Sequence, residues 1–454
     1  MTFDDIAAFV LGPLRIPESA LEMTATLLID TLGVAAGAAG LEVGRIARDH
    51  AARFHSAGRA EDAAPMLFDG RLVSLPGAGF AVATQIDNLD AHDGYNPTKG
   101  HIGCAVVPAL CAFAAHLPAL SAREALTALA MSYEIAARAG IALHATVDDY
   151  HTSGAWNALG VAALGCRLRG HGPERLRHAL GIAEYHGPRS QMMREIANPT
   201  MLHDGSGMGA LVGMMAVMLA EDGFEGAPAL TVEAPEVATY WADLGTVWTV
   251  EQNYIKPYPI CRWAHAALDA LSGLMSQHRF AAGDVARIEV RTFAQAAALY
   301  PDMPGTTSQA QYSLRFALAS LLVNGSLGPA QVQDAGLRDP DVAAHLPKIK
   351  VEEDPRHSAR FPEGRWSDIT VELTSGAQLS SGDIHATGGP EAPMPLDAVA
   401  TKFRTMAAPL GADRTEALWS MRSRMLHPDT RFSHLLELVT DPVCARQAHV
   451  PECP

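Results

Sequence analysis

From Ser19 to about Ala220, apolar residues recur at three- and four-residue spacing, interrupted by short polar or glycine-containing breaks. That period puts them on one stripe of an α-helix. "PESALEMTATLLIDTLGVAAGA" opens after a proline and ends in small residues that allow close helix packing. "SAREALTALAMSYEIAARAG" begins with Ser121 and Glu124 in capping-box spacing and stops at Gly140. "GAWNALGVAALGCRLRG" and "GSGMGALVGMMAVMLAEDGF" repeat the style, with a glycine-rich entry, an Ala-rich stripe and a polar exit. No strand precedes "GSGMG" and its spacing departs from GxGxxG, so tight helix packing is expected there rather than a dinucleotide.

After Pro259 the period changes. "ARIEVRTF" and "SDITVELTSGAQLS" alternate with period two, and Ser375 and Gly376 supply a hairpin turn within the second. Between them "AQYSLRFALASLLVNG" reads as a helix, and from Pro395 to about Leu438 the helical period returns. The expected fold is mainly α: a large helical domain, residues 1–265 with a C-terminal return over 401–454, carrying an inserted smaller α+β lid domain over 266–400.

Charge narrows the function classes. The formal net charge of -16, with no basic run, argues against a nucleic-acid partner, which needs clustered Lys and Arg. An acidic surface also repels anionic membranes, and the longest strongly apolar run, Gly209 to Ala220, is too short to span one. "MTFDDIAAFV" is acidic where a presequence is basic, and the six cysteines form no CxxC pair. Buried thiols in a reducing, cytoplasmic compartment are the expectation. A polyanionic small substrate would then need a local cluster of cations set against the global field.

The candidate chemistry gathers in polar loops between the helices. "DNLDAHDGYNPTKGHIG" packs three aspartates, two histidines and a lysine into one segment, and "DDYHTSG", "ANPTMLHDG" and "NYIKPYPICRWAH" add His151, His203 and Lys256. Lysine is scarce, so Lys99 and Lys256 stand out as groups able to give up a proton where arginine cannot. His101, eight residues beyond Asp93, is a candidate general base oriented by a carboxylate. Arg189, Arg194 and Arg262 are candidates to hold carboxylates through their planar forks. There is no HExxH, no paired Cys set and no GxSxG, so neither a catalytic metal nor a nucleophilic serine is expected.

These segments, in this order, resemble the MmgE/PrpD family. "LIDTLGVAAGA" looks like its first-helix signature, "LDAHD" followed by "GHIGCAVVPAL" is similar to its LDxDD and GHPxxxxxPA elements, and "YHTSG" to its HxTG segment. "HALGIA", "KPYP", "AQYSLRFALASLLVNG" and "ATGGPEAPMPLDAVATKF" continue the match over nearly the whole chain. The resemblance implies a helical domain with an α+β lid, usually a dimer, an active site between the two, and no metal or organic cofactor. It implies chemistry on small polycarboxylates: dehydration of 2-methylcitrate, decarboxylation of cis-aconitate or epimerisation of iminodisuccinate. By position it assigns Asp93, Thr98, His101, His151 and Lys256 to the active site.

The chain also departs from the family pattern. Thr200 stands where the KxLH element often has lysine, Phe316 where decarboxylase-like members have tyrosine, and Ile102 in place of a proline, while Lys99 is added to the loop. The expected catalytic set is Asp93, Lys99, His101, His151 and Lys256, and the expected substrate contacts are Asn96, Thr98, Thr200, Arg262 and Phe316. The redistributed cations favour an isomerase that abstracts and returns a proton alpha to a carboxylate, like iminodisuccinate epimerase. The alternatives are a 2-methylcitrate dehydratase-like hydro-lyase and an inactive anion-binding relative.

Overall fold

Two apolar cores organise the computed structural model, which describes residues 1–443. The first is built from helices. Glu18–Ala38 is buried at every position from Thr24 to Ala38, as a helix apolar on all sides must be. Ser206–Glu221 packs against Gly154–Leu168, Leu75–Asp87 and Pro173–His186. The approach is close: a Cβ at Gly209 would lie 2.2 Å from Asn157 Oδ1, and one at Gly213 would lie 2.5 Å from the Ala158 carbonyl oxygen. "GSGMG" is therefore a helix-packing element, as its spacing suggested.

Glu18–Ala38 and Ala122–Thr146 are long and apolar enough to cross a bilayer by length and composition, but 83% and 89% of their apolar windows lie buried within the protein. They serve the core. Leu396–Ala407 and Ala412–Arg424 come back onto Glu18–Ala38, so the C-terminal helices return to the first core. Lys402 pairs there with Asp30 and donates to the Ala91 carbonyl oxygen at 2.7 Å.

The second core lies between a sheet and two helices. Val285–Thr292 pairs in parallel with Ile349–Glu353 and antiparallel with Trp366–Leu373, which in turn pairs with Gln378–Ser380 and Ile384–His385. Ile288 faces Val371 and Val290 faces Ile369 across the ladder, and all four are buried together with residues of His265–His278 and Leu314–Asn324. The period-two segments are thus strands, and the turn between Trp366–Leu373 and Gln378–Ser380 contains Gly376 at a φ of +84°, a conformation glycine adopts without penalty. The chain leaves the first core after Ile255, enters the second by Ile260, and is back in the first by Val399. Cys104, Cys111, Cys166 and Cys261 are buried free thiols, whereas Cys444 and Cys453 lie outside the described residues.

Candidate active site

A small polar cavity opens where the two cores meet, and its own side chains nearly fill it. Asp90, His101 and Asp204 line it from loops of the helical part, and Lys99, Tyr150, Tyr254, Arg262, Tyr312 and Arg365 complete the lining, Tyr150 packing on the second core. The backbone of the titratable loop is bent to reach it. Asp90, Lys99 and, next to Asp204, His203 all adopt left-handed φ values of 46° to 55°, sparsely populated for residues with a Cβ. Reciprocal hydrogen bonds between Gly94 and Tyr254, 3.1 and 2.8 Å, tie the loop to the segment carrying Lys256. The Tyr150 hydroxyl donates to the Lys99 carbonyl oxygen.

One wall holds acid–base groups in pairs. His101 Nδ1 lies 2.7 Å from the Asp93 carbonyl oxygen, which can only accept, so Nδ1 carries the hydrogen and Nε2 is left basic. Nε2 lies 3.4 Å from Asp204 Oδ2. Burial lowers the affinity of His101 for a proton, and Asp204 opposes that by favouring the imidazolium. Ser153 holds the pair in register: its hydroxyl accepts from the His101 N–H at 2.9 Å and donates to Asp204 Oδ1 at 2.9 Å. Behind Asp90, fully buried Lys256 pairs with Asp90 Oδ1. Burial also keeps neighbouring His92 and His203 neutral, the latter pushed down to about 3.

The other wall holds cations without anions. Lys99 lies 4.6 Å from the centre of the Tyr150 ring, and Arg262 lies 4.4 Å from that of Tyr254. Arg262 donates to the Ala386 carbonyl oxygen at 2.9 Å and to that of Thr387, and Arg365 donates to the carbonyl oxygens of Pro362 and Gly364. None of the three forms an ion pair among the described residues. Burial lowers all three, Arg262 to about 10, with Asp269 and Glu391 offsetting it only from a distance. Tyr150, Tyr254 and Tyr312 are pushed up by burial and stay neutral hydrogen-bond donors.

Of the residues expected from sequence, Lys99, His101 and Arg262 line the cavity and Lys256 stands directly behind it. Asp93 does not line it. Its backbone carbonyl, not its carboxylate, orients His101, while the carboxyl group is buried beside Tyr133 and pushed up to about 7. Thr98 donates to the Tyr95 carbonyl oxygen at 3.0 Å and packs on Gly140, and Asn96 is buried in the same turn, so both shape the loop from behind. His151 takes part through its backbone, donating to His144 Nε2 at 3.3 Å, and it is its neighbours Tyr150 and Ser153 that reach the site. Thr200 is exposed and bonds to Glu195 at 2.9 Å. Phe316 is in the second core, one helical turn past Tyr312, which takes the place in the cavity. Arg189 is half exposed near Glu184, and Arg194 is exposed. Sequence reasoning missed Asp90, Asp204, Tyr150, Tyr312 and Arg365. "LHDG" and the first aspartate of "LDAHD" were signals for two of them, and Arg365, a single arginine in "PEGRW", had none.

Among the described residues, three groups have donor atoms close enough for a metal ion: Asp90–His92–His101, Asp87–His92–Cys104 and Asp354–His357–Asp368. The last is saturated internally, with His357 Nε2 2.8 Å from Asp368 and Arg291 and Arg356 on the same carboxylate.

A helical core and a mixed-sheet core thus enclose a cavity with acid–base pairs on one side and lone cations on the other. The MmgE/PrpD N-terminal domain matches residues 5–240 and the MmgE/PrpD C-terminal domain residues 258–424, so the chain belongs to the MmgE/PrpD family. The second match begins within the segment where the chain changes cores. A cis-aconitate decarboxylase from Mus musculus is 23% identical over 375 residues, covering 75% of this chain and 74% of the relative.

Proposed function

We propose that the cavity binds a small polycarboxylate and transfers a proton at the carbon alpha to one of its carboxylates, acting as an isomerase. The observation that carries this reading is the asymmetry of the walls: Arg262 and Arg365 are buried and Lys99 half-buried, none of them has an ion-pair partner among the described residues, and they stand beside a histidine whose basic Nε2 lies 3.4 Å from Asp204. Uncompensated buried cations are costly, and substrate carboxylates would complete them. In this reading His101 Nε2 takes the alpha proton and the electron pair moves into the carboxylate, as an enediolate held by the cations. Asp204 stabilises the imidazolium. Lys99, lowered by burial, returns a proton from the opposite wall, and Lys256 keeps Asp90 in place. The second core serves as a lid, since the cavity is too nearly filled to admit such a substrate without the cores separating.

A second reading, a lyase, has its own support in the decarboxylase relative and in the Tyr312 hydroxyl, an acid available to a leaving group or a carbanion. Proton NMR in heavy water with iminodisuccinate, 2-methylcitrate and cis-aconitate in separate tubes distinguishes them. Deuterium entering an alpha position with interconversion of stereoisomers is expected. Loss of water or carbon dioxide without that exchange would replace the isomerase by the lyase, and no reaction with any of the three would remove the proposed substrate class.

A further inference from the structure

His92 has no part in the chemistry above, yet it is the most completely buried histidine next to it. Its ring is 0% exposed, and neither Nδ1 nor Nε2 has a hydrogen-bond partner. Asp90 Oδ2, the oxygen that Lys256 does not hold, is also buried without a partner. The His92 and His101 rings meet edge to face with centroids 4.5 Å apart. Unsatisfied buried polar atoms are costly, and several of them close together call for a ligand to satisfy them.

We propose that Asp90, His92 and His101 form a binding site for a divalent first-row transition-metal ion. One donor atom from each lies within 4.8 Å of the others, the spacing a common ion requires. Two imidazoles and one carboxylate select zinc, cobalt, iron or nickel over calcium and magnesium, which prefer oxygen. The far nitrogen of His101 is supported as in metal-bound histidines. His101 Nδ1 is held by the Asp93 carbonyl oxygen, leaving Nε2 as the ligand, whereas both nitrogens of His92 are without a hydrogen bond, Nε2 lying 3.7 Å from Asp87 Oδ1, so His92 has a nitrogen to give to an ion. Lys256 opposes a cation at Asp90, and Asp204 beside His101 offsets it. The competing Asp87–His92–Cys104 set is closed off, because Cys104 is bonded to Ser206 Oγ and Asp87 accepts from the Ser206 N–H, whereas Asp90 and His101 face the cavity by which an ion enters.

Because the metal would occupy His101 Nε2, metal and proton compete for one lone pair, a consequence that rests on the proposed function, although the binding itself does not. The test uses untagged full-length protein freed of metal with a chelator and titrated with Co2+. One equivalent should give the visible absorption of a nitrogen- and oxygen-ligated ion, Zn2+ should displace it, and His92→Gln should abolish it. No absorption change, or the same change in a folded His92→Gln protein, overturns the site. If His92→Gln does not fold, X-ray absorption fine structure of the zinc-loaded wild type decides: two imidazoles per zinc are expected, and fewer refute the proposal. Zinc should also suppress deuterium exchange at least tenfold. Zinc binding in a protein that never exchanges deuterium would defeat the proposed reaction and leave the metal site standing, while exchange without zinc binding would do the reverse.

Discussion

The two walls of the cavity differ in how their buried charge is balanced. On the side of Asp90 and His101 the titratable groups are paired: Lys256 with Asp90, His101 with Asp204, and Lys402 with Asp30 farther back. On the other side Lys99, Arg262 and Arg365 rest on aromatic faces and backbone carbonyls, which orient a cation without neutralising it. The paired wall is complete as folded and suits moving a proton between fixed positions. The unpaired wall is complete only with an anionic ligand, and so suits binding.

If that division holds, substitutions on the two sides should fail in different ways. His101→Ala should have the largest effect, a fall in deuterium-exchange kcat of about a hundredfold or more with little change in KM, since the base is lost while the cations remain. Arg365→Met and Arg262→Met should come next, raising KM by about tenfold or more through loss of a charge-assisted contact, with kcat less affected. Steady-state kinetics on both variants check this. A fall in kcat from an arginine variant that matched His101→Ala, at unchanged KM, would erase the distinction between the walls.

A third prediction asks whether a pair cancels the cost of burial. Glu134 is paired with Arg138 and accepts from Thr249 and Val250, yet burial still raises it to about 7. A carboxyl raised in the folded state holds a proton that the unfolded chain has lost, so its contribution to stability is full below about pH 4.5 and disappears as pH rises through about 7. Relative to wild type, Glu134→Gln should therefore gain stability between pH 5 and pH 8, on the order of 2 kcal/mol. Thermal melts at several pH values read the slope, and parallel pH profiles for the two proteins would mean that the pairing cancels the burial cost.

The sequence carried the elements and part of the site, for reasons visible in particular residues. Helices such as Ala122–Thr146 and strands such as Val285–Thr292 were legible because burial on one face imposes a period, and the Ser375–Gly376 turn because a positive φ there calls for glycine. Lys99, His101 and Arg262 were legible because polar loops between apolar helices leave little else for titratable groups to do. Which aspartate of "DNLDAHD" faces the cavity was not, because the left-handed backbone at Asp90 decides it and composition is the same for all three. Asp204 and Arg365 join the site only through tertiary packing, from chain positions more than a hundred residues from His101.

Phe316 and Thr200 show how a register or a solvent contact changes an assignment, and they provide the smallest predicted effects. Tyr312 and Phe316 are four residues apart, one helical turn; Tyr312 precedes the Leu314–Asn324 helix at the cavity, and Phe316 lies inside it among core residues. Phe316→Leu should lower Tm, by an amount equivalent to about 1 kcal/mol, and leave KM alone. Thr200 touches only Glu195 and its own turn, with its hydroxyl 2.9 Å from Glu195 Oε2 and accepting from the Leu202 N–H at 3.3 Å. Thr200→Ala should thus change kcat and KM by less than about twofold, since a surface substitution away from the site costs little. A tenfold effect on either constant would mean that the Glu195–Thr200 turn moves onto the substrate when the cores close, and would extend the binding wall beyond its three cations.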